Sequence, residues 1–151
     1  MDRLTLTSLE DRANPATFTV TSLADAGSGS LRQALARGSD EVNNPGSDSV
    51  VFAPSVQGGT VTLTAFTNPA AGTAEVPRPA GPSAFLVTSP VVILGSGETL
   101  TRGGAEAFRL FQVTATGNLT LSNLTLSNGL ARGGAGKGGG NAAGLGGAIY
   151  N

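Results

Sequence analysis

Apolar and polar residues alternate in short runs along most of the chain, and the runs are rich in Thr, Val and Ile. The first, Thr17-Phe18-Thr19-Val20-Thr21, predicts a half-buried strand with Phe18 and Val20 facing a core. Ser49-Val50-Val51-Phe52 and Thr60-Val61-Thr62-Leu63-Thr64 repeat the pattern, each after turn-forming residues that include Asp48 and Gly58-Gly59. Further strand signals lie at Phe85-Leu86-Val87, at Val91-Val92-Ile93-Leu94 and from Phe108 to Val113.

One segment has a helical period instead. After the turn-forming run Asp25-Ala26-Gly27-Ser28-Gly29, Ser30 is placed as an N-cap and Gln33 at the capping-box position. Leu31, Ala34 and Leu35 make one apolar face of a short helix through Ala36. Gly38-Ser39 weakens it and Asn44-Pro45-Gly46 closes the segment. A short amphipathic helix lying over an apolar surface is expected.

The most informative stretch is 117–129, where Leu-Thr-Leu-Ser-Asn occurs twice in tandem. Leu119, Leu121, Leu124 and Leu126 can all point inward only if the chain bends near Asn123, and Asn tolerates the left-handed conformation that such a bend needs. Successive short strands bending the same way generate a coil, so the pattern favours a solenoid over a sandwich. Two stretches break it. Residues 68–83 hold four prolines without periodicity and read as an inserted loop, and 133–147 is dominated by Gly and Ala. Ala148-Ile149-Tyr150-Asn151 reads as a new strand beginning, which predicts an open β edge at the C-terminal side. A Gly-rich tail closing a complete domain is the competing reading.

Composition narrows the function classes. The 151 residues suit one domain: 1–15 as a flexible tail without alternation, and 16–151 as the folded part. Nine Lys plus Arg against ten Asp plus Glu give a net charge of -1, which offers no electrostatic footprint for nucleic acid. Cys and His are both absent, removing disulfides, thiolate metal sites and the commonest general base. No run is long and apolar enough for a transmembrane helix, and the N-terminus lacks the pattern of a conventional signal peptide.

With these motifs in order, the chain resembles the start of large secreted right-handed parallel β-helix proteins with Gly-rich repeats. In those, an opening strand, a Ser-Leu-Arg-Gln/Glu-Ala helix, an Asn-Pro-Gly-x-Asp turn and a Val/Ile-x-Phe strand follow one another. Residues 17–21, 30–35, 44–48 and 50–52 occupy those places here. Residues 118–129 are similar to the family's Leu-Thr-Leu/Ile-Ser-Asn rung. Residues 146–151 are similar to its Gly-Gly-Gly/Ala-Ile-x-Asn motif, which also resembles repeats of chlamydial polymorphic outer-membrane proteins. Residues 6–15 are similar to a motif at the start of exported planctomycete proteins. The resemblance implies an all-β, right-handed parallel β-helix with one short N-terminal capping helix, incomplete at the C-terminus. It also implies an extracellular or cell-surface location in a bacterium.

Candidate chemistry is sparse. Gly134-Ala135-Gly136-Lys137-Gly138 fails the phosphate-loop pattern, because Ala131 stands where its first Gly belongs and Gly138 where Ser or Thr belongs. Asn118 and Asn123 open formal glycosylation sequons but are better explained as turn formers. Lyase or glycosidase chemistry would need clustered carboxylates. The acids are scattered instead: Glu10 and Asp11 in the tail, Asp40 and Glu41 in the linker, and Asp25, Asp48, Glu75, Glu98 and Glu106 read as solvated turn or loop residues. No catalytic, cofactor-binding or metal-binding residue is assigned. The expected role is a non-catalytic display or adhesion segment. Its partners would be a surface protein or glycan, more β-helix, or another copy through the C-terminal edge. The alternatives are the non-catalytic start of a polysaccharide lyase or glycoside hydrolase, and a truncated product with no role of its own.

Overall fold

The computed structural model of the protein describes residues 15–66, 81–132 and 146–151. All but the last residue of the tail with its export motif, nearly all of the Pro-rich insert, and the Gly134–Gly138 run lie outside the described residues. Eight strands and one α-helix follow in the order β1 Thr17–Val20, α1 Leu31–Gly38, β2 Asp48–Phe52, β3 Thr60–Leu63, β4 Ser83–Val87, β5 Pro90–Arg102, β6 Arg109–Val113, β7 Asn118–Ser127 and β8 Ile149–Tyr150. A single 3₁₀ turn at Pro54–Val56 separates β2 from β3. The described residues are thus mostly β, and every strand pairing among them is parallel.

Helix α1 forms where its capping residues place it. Ser30 is extended (φ -75°, ψ 159°), and its Oγ accepts the Gln33 N–H at 3.2 Å. The Gln33 side chain reaches back one residue further than a capping box requires, accepting Gly29 N–H at 2.9 Å. Ser30 N–H is already taken by Gly27 O. Leu31, Ala34 and Leu35 are buried, and the helix continues two residues past Ala36 to Gly38, which is buried as well. The Ser39 hydroxyl and N–H both bond Leu35 O, ending it.

The strands form two open sheets. In one, β1, β2, β5 and β3 are neighbours in that order and β7 also pairs β5; in the other the order is β4-β6-β8. Strand β5 is long because it serves two partners in turn. Its first half, Val91 to Leu94, pairs β2, and its second half, Thr99 to Arg102, pairs β3. The sequence signal marked this strand only as far as Leu94. The chain instead turns a corner there and resumes as strand. Gly97 has φ +97°, and a Cβ on Gly95 would meet Asn123 O at 2.5 Å.

Strand β7 follows both halves of β5. Leu119 to Ser122 pair Val91 to Leu94, Leu124 to Ser127 pair Glu98 to Thr101, and the register shifts between them. Asn123 sits at the shift with φ 53°, the left-handed bend that the tandem repeat predicts. All four β7 leucines consequently face the core. In the other sheet the Phe85 and Phe111 rings, on paired residues, lie 5.2 Å apart.

The core runs through both sheets. Val20, Val50, Ile93 and Leu31 of α1 share one cluster with Val61, Leu63, Leu100, Phe85, Phe108, Leu110 and Phe111, nearly all without exposure. Each such side chain contributes roughly 1.5–3 kcal/mol by leaving water. Alternation fails on β4 and β6, where almost every residue is buried, Ser83, Arg109 and Gln112 included.

Candidate functional site

The densest polar cluster joins α1 to the strands beside it. Arg32 leaves the helix and donates from Nη1 to Ala84 O of β4 at 2.7 Å. From Nη2 it donates to Ala65 O at 2.8 Å and to Asp25 Oδ1 at 2.6 Å. Its guanidinium also lies 4.9 Å from the Phe85 ring centroid. Asp25 Oδ2 accepts the N–H groups of Thr64 and Ala65 at 2.8 and 2.7 Å and the Thr64 hydroxyl at 3.0 Å. The pair therefore ties up backbone groups at the end of β3 and on β4 that no strand among the described residues pairs. A planar guanidinium fork suits this use, because it reaches two carbonyls and a carboxylate at once.

The electrostatics agree. Partial burial pushes the Asp25 carboxyl up, but the bonds from Arg32, from the Ala65 and Thr64 N–H groups and from the Thr64 hydroxyl outweigh it. They hold Asp25 below the usual carboxylate range. Next to this cluster a groove of about 350 Å³ runs between α1 and β4, with Leu35, Ala36, Phe85 and Leu86 among its walls.

Two further acids are placed where the sequence reading did not put them. Asp48 opens β2 and Glu98 lies within β5, and both are fully buried rather than solvated. Asp48 Oδ1 accepts Ala16 N–H at 2.7 Å, and Glu98 Oε2 accepts Ser96 N–H at 2.6 Å. Their other oxygens, Asp48 Oδ2 and Glu98 Oε1, have no hydrogen-bond partner. A parity signal was present in the sequence: Asp48 is in phase with Val50 and Phe52, and Glu98 with Leu100. Reading them as turn residues gave composition priority over alternation. Each anchors a strand entry, Asp48 by holding the residue before β1, Glu98 by closing the corner at Gly95–Gly97.

The remaining described acids are spread out. Asp40 accepts from the side chain and N–H of Asn43, led by the side-chain bond at 2.6 Å, which lowers its carboxyl. Glu41 accepts Gly46 N–H at 3.0 Å. Among the described residues no three His, Cys, Asp or Glu side chains come together, and no helix is long and apolar enough to cross a membrane. Away from α1, Arg102 has a role like that of Arg32. It donates to Asn128 O at 2.7 Å and to Gly104 O and Glu106 O at 2.9 Å, and lies 5.9 Å from the Phe108 ring centroid. Neither arginine was singled out in the sequence as a clasp, because their partners are main-chain carbonyls up to 52 residues away.

Comparison with protein-family models, with curated proteins and with solved structures finds no match to this chain.

Proposed function

We propose that the chain is a segment of a right-handed parallel β-helix, secreted or held at a bacterial cell surface, whose role is display and interaction rather than catalysis. The observation that carries this reading is the interleaving of the pairings. The strands along the chain fall in turn on three ribbons: β2, β3 and β4, then the first half of β5, its second half and β6, then the two halves of β7 and β8. Parallel neighbours ordinarily need helical crossovers. Here the return from β4 to β6 runs through β5, and from β5 to β7 through β6. A coil of three short strands per turn accounts for that with one helix.

In this reading α1 covers the first turn, with the Asp25–Arg32 pair holding the edges of β3 and β4. The resemblance to Gly-rich secreted repeats supports a surface location and the suggestion of adhesion to a protein or glycan. The second reading, the non-catalytic start of a β-helix lyase or hydrolase, shares the architecture. The two readings differ in what the longer protein does, and the display reading is preferred on the resemblance to Gly-rich secreted repeats. The test is twofold. An epitope-tagged copy in the encoding bacterium is expected in the surface or extracellular fraction. The purified chain is expected to release no unsaturated or reducing ends from a panel of polysaccharides, with and without Ca²⁺. Confinement to the cytoplasm, or turnover that Asp25→Asn abolishes, would overturn it.

A further inference from the structure

The outward face of the ribbon formed by β3, the second half of β5 and the second half of β7 carries two unbroken ranks of hydroxyl side chains. Thr60, Thr99 and Thr125 are register partners across its three strands, and so are Thr62, Thr101 and Ser127. Between the two ranks Val61 and Leu100 are fully buried and Leu126 packs on the core, so the ranks point outward. Thr60, Thr62 and Thr125 are exposed, and the other three are partly so. Neither rank holds a charged or aromatic residue.

Strand geometry makes the six hydroxyl-bearing side chains a net, about 4.8 Å between neighbours across strands and about 6.6 Å between ranks. β-Branching restricts the χ1 rotamers of each Thr, so hydroxyls and methyls repeat in position rather than scatter. Thr101 is fixed further, its Oγ1 accepting from Asn128 Nδ2 at 3.0 Å.

A second outward ribbon, of β1, β2, the first half of β5 and the first half of β7, supplies an internal contrast. Its two ranks read Thr17, Ser49, Val92 and Thr120, and Thr19, Val51, Leu94 and Ser122, with Leu94 43% exposed. The long strands β5 and β7 therefore carry an unbroken hydroxyl net on one side of the corner, and on the other a face whose hydroxyls are interrupted by Val51, Val92 and Leu94.

We propose that this threonine net binds ordered water, namely the surface of ice. Ranked hydroxyls hold water molecules at a repeat of the same scale as the oxygen positions on a prism plane of hexagonal ice, while the intervening methyls keep disordered water out. The absence of charge and aromatic rings from the ranks argues against an anionic ligand or a sugar platform, which draw on ion pairs and ring faces. The proposal rests on the strand register alone, whether or not the chain is part of a surface scaffold.

The test uses the full chain in an ice-recrystallisation assay and in partition into a growing ice shell. Inhibition of crystal coarsening and enrichment in the ice are expected. Thr99→Lys, at the centre of the net, is expected to lose both, and Thr19→Lys on the other ribbon neither, with folding of each verified by circular dichroism. Should Thr99→Lys not fold, Thr99→Ser, which keeps the hydroxyl and drops the methyl, is expected to weaken both. The proposal is overturned if the wild-type chain behaves like an inert globular protein at equal mass. It is equally overturned if folded Thr99→Lys matches wild type, if Thr19→Lys loses as much, or if Thr99 is needed for retention on cellulose or chitin powder but not on ice.

Discussion

The side of the molecule under α1 and the side formed by β7 carry similar hydrophobic patterns and bury them to different depths. Val50, Ile93 and Leu121 are successive register partners. The first two are 0% exposed, while Leu121, like the other β7 leucines, is only partly buried. On the α1 side a helix lies across β1 and β2, and Asp25 and Arg32 bond backbone groups at Thr64, Ala65 and Ala84. β7, among the described residues, pairs β5 alone. Alternation thus sets which way a side chain faces, and the number of neighbouring layers sets how much that facing contributes to stability.

The contrast is sharpest at paired positions. Ile93→Ala is expected to cost about 3–4 kcal/mol, because the site is packed on all sides and a cavity remains. Leu121→Ala, its partner, is expected to cost about 1–2 kcal/mol. Urea titration of the two variants measures the difference, and equal losses would mean that β7 is as deeply covered as β5 in solution.

Removing the clasp tests the α1 side. Arg32→Ala leaves the carbonyl of the buried Ala84 without its donor, opens the Ala65 carbonyl to water and removes the ion pair of Asp25, for an expected loss of about 2 kcal/mol. Arg32→Lys should recover little of it, since an ammonium cannot span the fork. A denaturation midpoint for Arg32→Ala within error of wild type would show that α1 holds its place by apolar packing alone.

The smallest effect is expected from pH. Asp25 is held below its unfolded value, so its contribution is fully present above about pH 4 and is lost as pH falls through the folded value. Melting temperature followed from pH 7 to pH 2 should fall less in Asp25→Asn than in wild type, because the variant has no carboxylate there to protonate. Parallel curves would place the acid sensitivity elsewhere.

Much of this was legible in the chain. The Ser30 cap, the apolar face of α1 and the strands at Thr17, Val50, Val61, Phe85, Val91 and Leu110 are local features that short-range sterics and periodicity specify. The bend at Asn123 was legible because four leucines could share one side only if the chain turned there. The second half of β5 was not, since Gly95-Ser96-Gly97 is a stop in one context and a corner in another. Only strands β2, β3 and β7 alongside distinguish the two.

The clasp and the threonine net show the same division. Sequence by itself determined that Thr60, Thr62 and Thr125 alternate with apolar residues and therefore face away from the core, and left Thr99 and Thr101 beyond the strand it marked. Only the tertiary structure decided that they lie side by side, because register between strands 26 to 39 residues apart is set by long-range pairing. Likewise the sequence made Asp25 and Arg32 polar residues of a turn and a helix. Their joint hold on β3 and β4 exists only where the fold brings unpaired backbone groups to them, and leaving the carbonyl of the buried Ala84 unsatisfied would cost more than the ion pair alone contributes.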